Sequence, residues 1–335
     1  MKSISHQYIE RKTLRVRTER LVADRVIQTL YSGIRENTPF LFNLLLSARF
    51  SAFFGYLNYD CPGRSGISDP LKTLESLGIP PEEIHGRVEE LNTYRKLFER
   101  QIRYWECRPM AGDDACVVSP ADARMLTGSF SETAALFIKE KFFNYRELIG
   151  QDKAHWLSVF ENGDYAVFRL TPEKYHYNHA PVSGKVVDIY EMNGAYHSCN
   201  PGAVVQSVTP FSKNRRVVTV MDTDVDNGTR IGFVAMVEIV ALMIGRIVQC
   251  YSSERYDRPE GVAKGLFLEK GRPKSLFRPG SSTTVLIFQK NRVRFSDDLL
   301  ENLNRTDVQS RFSQGFGKPL VETEVNVRET IGRAV

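Results

Sequence analysis

The sequence lacks the features that identify several large classes of protein. Its five cysteines among 335 residues are odd in number, widely separated and free of any Cys-x-x-Cys pair, which argues against a disulfide framework and a structural zinc site. It has no long basic block and a net charge of only +5, so no nucleic-acid partner is predicted. Residues 1–19 mix charges without an apolar centre, which predicts no secretory signal.

A continuous apolar run long enough to cross a bilayer is also missing. The densest stretch, 40–57, is interrupted by Asn43 and Arg49 and falls short of the roughly 20 apolar residues that a span needs. Before it, apolar residues recur at helical spacing behind Thr18, a suitable N-cap; they are Leu21, Val22, Val26, Ile27, Leu30, Tyr31 and Ile34. Two interpretations stay open, because such helices either lie in a membrane interface with arginines at anionic head groups or cover the protein's own core.

The character of the sequence changes near residue 110. A third helix is predicted after Pro80-Pro81, with one apolar face made by Ile84, Val88, Leu91, Phe98 and Ile102. Beyond Pro109 the chain turns to short β-like runs, at 116–118, 165–170, 186–190, 216–221, 231–240, 285–288, 293–295 and 320–327. The sequence therefore predicts an α+β fold, with a helical N-terminal region (1–110) on a largely antiparallel β domain (111–335).

Two groups of polar residues stand out in the β region. Asp122 ends the segment Ser119-Pro120-Ala121-Asp122, where an Asx-type turn is the common role of an aspartate. Two of the six histidines, His176 and His179, stand three residues apart between two prolines. Because the prolines oppose a continuous helix and no His-Glu-x-x-His frame is present, metal binding is disfavoured. Acid–base chemistry or structural hydrogen bonding remains for the pair.

A third group is the segment Pro279-Gly280-Ser281-Ser282, just ahead of a strand-like run. Its ordinary role would be a turn before a strand. Glycine also lets the backbone bend sharply, so the Ser281 hydroxyl could attack the Gly280 carbonyl and form an ester. Elimination and hydrolysis would then leave a pyruvoyl group at a new amino terminus. An Asp, a His and a Ser are the parts of a nucleophilic site, provided that they converge in the fold.

In this order the motifs resemble the phosphatidylserine decarboxylase family of pyruvoyl-dependent, self-cleaving proenzymes. The resemblance covers about residues 90–290. It rests on collinear matches at Phe98-Glu99-Arg100, Arg108-Pro109, Ser119 to Asp122, Pro172, Tyr175-His176, His179, Pro181, Gly184, Ser198, Asn200-Pro201, Phe211, Asn214, Arg216, Glu238, Ala241, Gly245, Lys270-Gly271, Phe277 and Gly280-Ser281.

The resemblance implies a role for each matching site residue. Asp122, His179 and Ser281 take the places of the self-cleavage triad, His176 takes that of the decarboxylation residue, and Tyr175 is a candidate for substrate binding. Cleavage between Gly280 and Ser281 would give a large chain (1–280) and a small chain (281–335) that stay together. The cofactor would be the pyruvoyl group derived from Ser281, which condenses with the substrate amine and accepts electrons as carbon dioxide leaves. No metal is implied.

The implied activity is that of a carboxy-lyase of phospholipid biosynthesis, which converts phosphatidylserine to phosphatidylethanolamine and carbon dioxide. The expected place is the cytoplasmic side of a membrane, as a peripheral protein, with the soluble cytoplasm as the alternative; a homodimer stays open. Two other functions also stay open. One is a pyruvoyl decarboxylase of a soluble amino acid, and the other is an unprocessed relative that binds lipid or a partner without catalysis.

Some residues depart from the family pattern and leave the substrate open. Lys174, Arg272 and Lys274 are cations at positions where the family has other residues, and they are candidates for meeting a phosphate or an added carboxylate. Glu238 interrupts an apolar run, where a carboxylate is costly unless it is paired or protonated. It either partners an internal basic group or points outward from a strand.

Overall fold

The structure is a computed structural model that describes residues 5–21, 56, 59, 61, 65–131, 142–207, 209–241, 246–280 and 282–335. The N-cap predicted at Thr18 is wrong, because Thr18 ends the strand Arg15–Thr18 and residues 19–21 are not helical. The rest of the helix predicted behind it and nearly all of the apolar run 40–57 lie outside these residues. Ser281 also lies outside them, whereas Gly280 and Ser282 on either side are described.

A ten-stranded sheet forms the centre of the described chain. The strands, in chain order, are β1 (Gln7–Glu10), β2 (Arg15–Thr18), β3 (Cys116–Val118), β4 (Ala123–Ser129), β5 (Asp164–Leu170), β6 (Tyr177–His179), β7 (Gly184–Met192), β8 (Arg216–Asp222), β9 (Phe233–Val240), β10 (Ile247–Gln249), β11 (Phe267–Leu268), β12 (Pro273–Phe277), β13 (Ser282–Phe288), β14 (Val293–Phe295), β15 (Thr323–Val325) and β16 (Thr330–Ala334). The large sheet runs in the order β11-β7-β8-β9-β13-β5-β4-β15-β1-β2. Within it β1 pairs parallel to β15, and the other described pairings are antiparallel.

Strand β13 lies in the middle of this sheet, between β5 and β9, and all of its residues are buried. Alternate side chains of a strand point to opposite faces. Val285 and Ile287 accordingly pack into one apolar core, while Leu286 and Phe288 pack into a second core. Each such side chain stabilises the fold by roughly 1.5–3 kcal/mol when fully buried. The two ladders and the two cores together fix β13 in the sheet.

Two three-stranded sheets lie beside the large one, in the orders β10-β12-β6 and β14-β16-β3. Strand β12 pairs antiparallel with β6, and it leads through residues 278–281 into β13. The segment around Gly280 therefore joins the small sheet that carries His179 to the central strand of the large sheet.

The described helices are short. They are α1 (Pro70–Ser76), α2 (Tyr94–Phe98), α3 (Tyr104–Cys107), α4 (Tyr145–Ile149), α5 (Ala154–Val159), α6 (Pro201–Gln206), α7 (Pro210–Lys213), α8 (Asp297–Leu303) and α9 (Arg311–Phe316), with 3₁₀ turns at Pro81–Glu83 and Val88–Glu90. Among the described residues, none of these helices has the length and apolar character needed to cross a membrane.

The single third helix predicted after Pro80-Pro81 is wrong. Gly86 has a φ of +98°, which breaks the helical backbone, and a new N-cap at Thr93 starts α2. The apolar residues assigned to one helical face divide between different places: Ile84, Val88 and Leu91 pack in a small separate core with Leu74, Ile102 packs in another cluster, and Phe98 stacks on His176. The apolar residues recur at helical spacing because they are buried, although the segment is made of short helices and turns.

The α+β class and the mostly antiparallel sheet are confirmed, but the N-terminal region is less helical than predicted. Residues 7–18 form the hairpin of β1 and β2, which extends the large sheet through β15. Between residues 65 and 110 the chain forms short helices and turns. The domain boundary at residue 110 stays a prediction.

Candidate functional site

The turn at Ser119–Asp122 connects β3 to β4 and places Asp122 in the interior. The Ser119 hydroxyl donates to the Ala121 carbonyl at 2.7 Å, and the Val327 N–H donates to Asp122 Oδ1 at 2.8 Å. Asp122 is only 4% exposed. A carboxylate so deeply buried requires an opposite charge as well as hydrogen bonds.

Arg108 supplies that opposite charge. Its Nη2 lies 2.8 Å from Asp122 Oδ2 and its Nε lies 3.1 Å from Oδ1, while Nη1 donates to Glu83 at 2.9 Å. Burial by itself would raise the pKa of Asp122, but the charge and hydrogen bonds of Arg108 outweigh it and hold the pKa below its usual value. In the sequence Arg108 was noted only within the Arg-Pro match, because no local pattern links it to a particular carboxylate.

His179, the last residue of β6, is fully buried and has a partner on each ring nitrogen. Nδ1 lies 2.9 Å from the Gly271 carbonyl oxygen, and Nε2 lies 3.0 Å from the Tyr175 hydroxyl. The Tyr104 ring meets the imidazole edge-on, with 4.7 Å between centroids. Burial lowers the pKa of His179 to about 3, so the ring is neutral at neutral pH.

These contacts assign the tautomer of His179. A carbonyl oxygen only accepts, so Nδ1 carries the single proton of the neutral ring and Nε2 is the basic nitrogen. Nε2 then accepts a hydrogen bond from Tyr175. The Tyr175 hydroxyl also lies 2.7 Å from that of Tyr256, which contacts the Ile102 carbonyl at 2.9 Å. A chain of hydroxyls therefore leads away from the imidazole of His179.

His176 is equally buried but lies against an apolar ring. Its imidazole stacks on Phe98 with 3.6 Å between centroids. Neither ring nitrogen makes a hydrogen bond of normal geometry to a described residue, although the Lys174 backbone interacts with the ring and acts to raise its pKa. Burial lowers the pKa of His176 well below the usual value, and Arg100 acts in the same direction. Buried polar atoms without partners are uncommon in folded proteins. Where they occur, they indicate a ligand-binding or catalytic role for the group.

The backbone places His176 beside the segment that leads to Gly280. The His176 carbonyl accepts from the N–H of Phe277 at 3.1 Å, only three residues before that glycine. Gly280 is buried and has a φ of +141°, a conformation that side chains with a Cβ rarely adopt. On the upstream side, Arg278 donates to Glu99 at 2.8 Å. Of the downstream residues, Ser282 is buried with no partner for its hydroxyl in the described chain.

A buried polar network surrounds Asn178, between the two histidines. Its Nδ2 donates to Glu238 at 3.2 Å and to Ser275 at 3.4 Å, and its Oδ1 accepts from Thr284 at 2.9 Å. Lys274 Nζ donates to Glu238 Oε2 at 2.7 Å, and both side chains are fully buried. Of the two roles considered for Glu238, the structure shows the internal partner of a basic group.

The three cations considered as substrate ligands all have carboxylate partners. Lys174 pairs with Glu324, Arg272 pairs with Glu269 at 3.1 Å, and Lys274 is enclosed with Glu238. An amine that is buried in an ion pair is not available to a substrate phosphate without the loss of that pair. Lys274 therefore belongs to the core of the protein and not to a binding surface.

The structure brings most of the predicted site residues into one region. The His179 N–H donates to the Pro120 carbonyl at 2.7 Å, so the turn that carries Asp122 contacts the strand that carries His179. The Asp122 carboxylate, however, bonds to Arg108 and to the Val327 backbone, and the bonds described for the His179 ring go to Gly271 and Tyr175. The position of Ser281 relative to these groups lies outside the described residues.

Sequence comparisons show which family this region belongs to. The family model described as phosphatidylserine decarboxylase matches residues 94–315, which include the Asp122 turn, both histidines and the Gly280-Ser281 bond. Because the match covers well over half of the chain, the chain belongs to the phosphatidylserine decarboxylase family.

Individual relatives extend the similarity to nearly the whole chain. The phosphatidylserine decarboxylase proenzyme of Fusobacterium nucleatum is 27% identical over 323 residues, covering 93% of this chain and 97% of the relative. That of Ruminiclostridium cellulolyticum is 27% identical over 330 residues, covering 98% of each. Phosphatidylserine decarboxylase proenzyme 2 of Oryza sativa subsp. japonica is 32% identical over 229 residues, covering 67% of this chain and 34% of the relative.

Proposed function

We propose that this chain cleaves itself between Gly280 and Ser281 and then decarboxylates phosphatidylserine to phosphatidylethanolamine. Family membership supports the reaction class. The observation that carries the proposal for this chain is His176, a fully buried imidazole beside the segment that leads to Gly280, whose nitrogens make no hydrogen bond of normal geometry to the residues that the structure describes. Its surroundings fit a pyruvoyl group derived from Ser281, because they hold an imidazole ready to form hydrogen bonds and a glycine at the bend before the serine.

Self-cleavage needs a hydroxyl that attacks and a base that takes its proton. The Ser281 oxygen would attack the Gly280 carbonyl carbon, forming an ester as the Gly280–Ser281 peptide bond breaks and the serine nitrogen takes up a proton. His179 is the proposed base, since its Nε2 carries no proton. The Tyr175 hydroxyl occupies Nε2 at 3.0 Å, so it either relays the proton or gives way to Ser281.

Asp122 supports the same step from a distance. Its negative charge acts to raise the pKa of His179 against the effect of burial, which favours proton uptake. Its bonds to Arg108 and Val327 fix the turn that touches His179 through Pro120. We therefore assign Asp122 an orienting and electrostatic role, with no direct hydrogen bond to the imidazole needed in the precursor.

Decarboxylation would depend on His176 and on the new amino terminus. The pyruvoyl group would supply an electron sink for the bond that releases carbon dioxide. His176 would hold the proton that returns to the substrate carbon, because its ring nitrogens make no hydrogen bond of normal geometry to a described residue. A substrate carboxylate next to the ring would raise the low pKa of His176. Tyr175 is the proposed substrate-binding neighbour.

The two product chains would stay together through the large sheet. Strand β13 would head the small chain, 281–335, yet it pairs along seven residues with β5 and along seven with β9, both in the large chain, 1–280. Separation would expose both cores and two strand edges, at a cost of many kcal/mol. We propose that the mature protein is this two-chain assembly, held at the cytoplasmic side of a membrane as a peripheral protein.

Intact-mass measurement of the denatured protein tests the cleavage. We expect two chains that divide at Gly280–Ser281, with the small chain carrying the mass of a pyruvoyl terminus. Ser281→Ala should remain one chain, while the matched variant Ser282→Ala should divide at the same bond. A single uncleaved chain in the native protein, or normal cleavage of Ser281→Ala, would contradict the proposal.

Carbon dioxide release tests the substrate. Detergent-dispersed phosphatidylserine is compared with free serine and with aromatic amino acids, using the cleaved protein. Release from the phospholipid alone is the expected result. Release from a free amino acid in preference to the phospholipid would replace the proposed substrate with a soluble one and leave the cleavage result intact.

A further inference from the structure

The hairpin of β1 and β2 presents an exposed cationic surface that the proposed chemistry does not use. Strand β2 is the last strand of the large sheet, and all four of its residues are exposed. Lys12, Arg15 and Arg17 are exposed on this hairpin, and Glu10 offsets one of them at 3.2 Å from Arg17. The outer hairpin thus has an excess of positive charge. We call the surface made by residues 11–17 the basic hairpin.

An apolar residue stands at the tip of the basic hairpin in an unfavourable conformation. Leu14 has a φ of +56° and is 59% exposed. Left-handed backbone favours glycine or asparagine and disfavours a leucine. The side chain therefore adds no turn preference and little burial within the fold. Val16, two residues on, is 37% exposed, so two apolar side chains stand among the cations.

The strand register directs this tip toward the end of the sheet where the cleavage site lies. Glu10 pairs with Glu324, which pairs with Arg124, which pairs with Arg169, which pairs with Thr283. Strand β1 runs parallel to β15 and therefore in the same direction as β5, so residues 11–14 leave the sheet at the end where β13 begins with Ser282. A surface bound by the tip would face the same end of the sheet as the proposed site.

The base of the hairpin is fixed by buried ion pairs. Arg169 Nη1 donates to Glu19 at 2.9 Å and its Nε donates to Glu322 at 2.9 Å, while His6 Nε2 lies 2.8 Å from Glu322. His6, Glu19 and Glu322 are close enough together to hold a metal ion, but two buried arginines, Arg169 and Arg124, already balance the two carboxylates. The cluster is a clamp that ties both ends of the hairpin to β5.

We infer that the basic hairpin is a docking surface for an anionic phospholipid bilayer. The inference rests on the proposed function, since a phosphatidylserine substrate lies in such a bilayer. Cations attract anionic head groups, and an exposed leucine enters the interfacial region. Charges on an edge strand also prevent edge-to-edge pairing. That protective role requires the arginines but gives no reason for a leucine at a position that favours glycine.

Vesicle binding tests the inference without catalysis. The probes are vesicles of phosphatidylcholine alone and of phosphatidylcholine with phosphatidylglycerol, which is anionic and is not the proposed substrate. Wild-type protein should bind the anionic vesicles, and its affinity for them should fall as the salt concentration is raised. The triple variant Lys12→Gln, Arg15→Gln, Arg17→Gln should bind on the order of 100-fold more weakly, since each cation near a bilayer contributes about fivefold.

Two further variants separate docking from general charge and from folding. Leu14→Gly should bind roughly five- to tenfold more weakly, yet unfold at the same or a higher temperature, because glycine suits the positive φ. The control triple Arg230→Gln, Lys290→Gln, Arg292→Gln removes three exposed cations from turns at the opposite end of β13 and should bind like wild type.

Three results would overturn the inference: no binding of wild type to anionic vesicles, binding that salt does not change, or equal loss in the hairpin triple and the control triple. Carbon dioxide release from detergent-dispersed phosphatidylserine distinguishes these failures from failure of the proposed function. The hairpin variants should keep that release unchanged, because their side chains lie outside the proposed catalytic region.

Discussion

His176 and His179 are both fully buried, but their imidazole rings differ in their hydrogen-bond partners and ring contacts. His179 has a carbonyl on one nitrogen, a hydroxyl on the other and an aromatic edge against its ring. His176 has the face of Phe98 against its ring. The His179 ring is held in a single orientation and tautomer, whereas the nitrogens of the His176 ring make no hydrogen bond of normal geometry to a described residue.

The difference follows from their spacing in an extended segment. Side chains of an extended chain alternate, so residues three apart point to opposite sides. His179 shares a side with Tyr177, among the tyrosines, whereas His176 shares a side with Asn178. On a helix the same spacing would have placed both rings on one face. The pair is therefore suited to two separate tasks and poorly suited to chelating one ion.

The largest expected effect tests whether the tasks are indeed separate. His179→Gln should leave the chain uncleaved, because the proposed base is lost, while His176→Gln should cleave normally and lose at least roughly 100-fold in decarboxylation rate. Intact mass and carbon dioxide release measure the two steps. The same defect in both variants would show that the different surroundings do not correspond to different roles.

A smaller effect concerns the support of the His179 side. Arg108→Met should destabilise the protein by about 3–5 kcal/mol, because it leaves the Asp122 carboxylate buried without its cation. Urea unfolding measures the loss, and cleavage should also slow.

Two controls sharpen the Arg108 experiment. Adding Asp122→Asn to Arg108→Met should recover part of the stability, since the uncompensated charge is removed. Arg294→Met breaks an exposed pair with Asp297 and should change stability by less than about 1 kcal/mol. A loss in Arg108→Met no larger than that of Arg294→Met would show that Arg108 does not stabilise the Asp122 turn.

The smallest expected effect is the pH dependence that both histidines share. Their folded-state pKa values lie below the unfolded value of 6.5, at about 3 for His179, so the unfolded chain binds more protons below pH 6.5. Stability should therefore fall as pH decreases, by up to about 1.4 kcal/mol per pH unit for each histidine. Asp122 and Glu322 also have lowered pKa values, but their contribution is lost mainly below about pH 4.5.

Urea unfolding between pH 7 and pH 5 isolates the histidines. His176→Gln and His179→Gln should each reduce the change in unfolding free energy per pH unit by the contribution of one histidine. The reduction should be the same for both variants despite the different surroundings of the two rings. His155→Gln, which removes an exposed histidine, should keep the wild-type slope. An unchanged slope in either buried variant would show that its ring is not held neutral by the fold.

Much of the β region could be predicted because its strands combine apolar runs with clear ends. The runs at 116–118 and 293–295 match β3 and β14 residue for residue, and 285–288 lies within β13. Of these strands β13 is buried along its whole length and is apolar on both faces at 285–288, which makes it stand out in the sequence. The same reliance on apolar spacing failed at 81–102, where Gly86 and Thr93 interrupt the chain.

The site residues with unusual chemistry could be selected from the sequence, but their partners could not. Paired histidines and a Gly-Ser bond are visible as local patterns, and the order of motifs links them. By contrast, the Gly271 carbonyl that sets the tautomer of His179 is 92 residues away and is a backbone atom, which any residue could supply. Tyr256 stands 81 residues from Tyr175, and only the fold brings the two hydroxyls together.

Asn178 helps to fix the register of strand β13 through its hydrogen bond with Thr284. Its side chain donates to Glu238 and Ser275 and accepts from Thr284, so it connects residues on both sides of the proposed cleavage site. A slip of β13 by one residue that brings Val285 to the position of Thr284 would leave the buried amide oxygen of Asn178 unsatisfied, at a cost of about 1–3 kcal/mol. Because Thr284 lies only three residues after Ser281, the hydrogen bond from Thr284 to Asn178 would also limit how far a new terminus at residue 281 could move after the proposed cleavage.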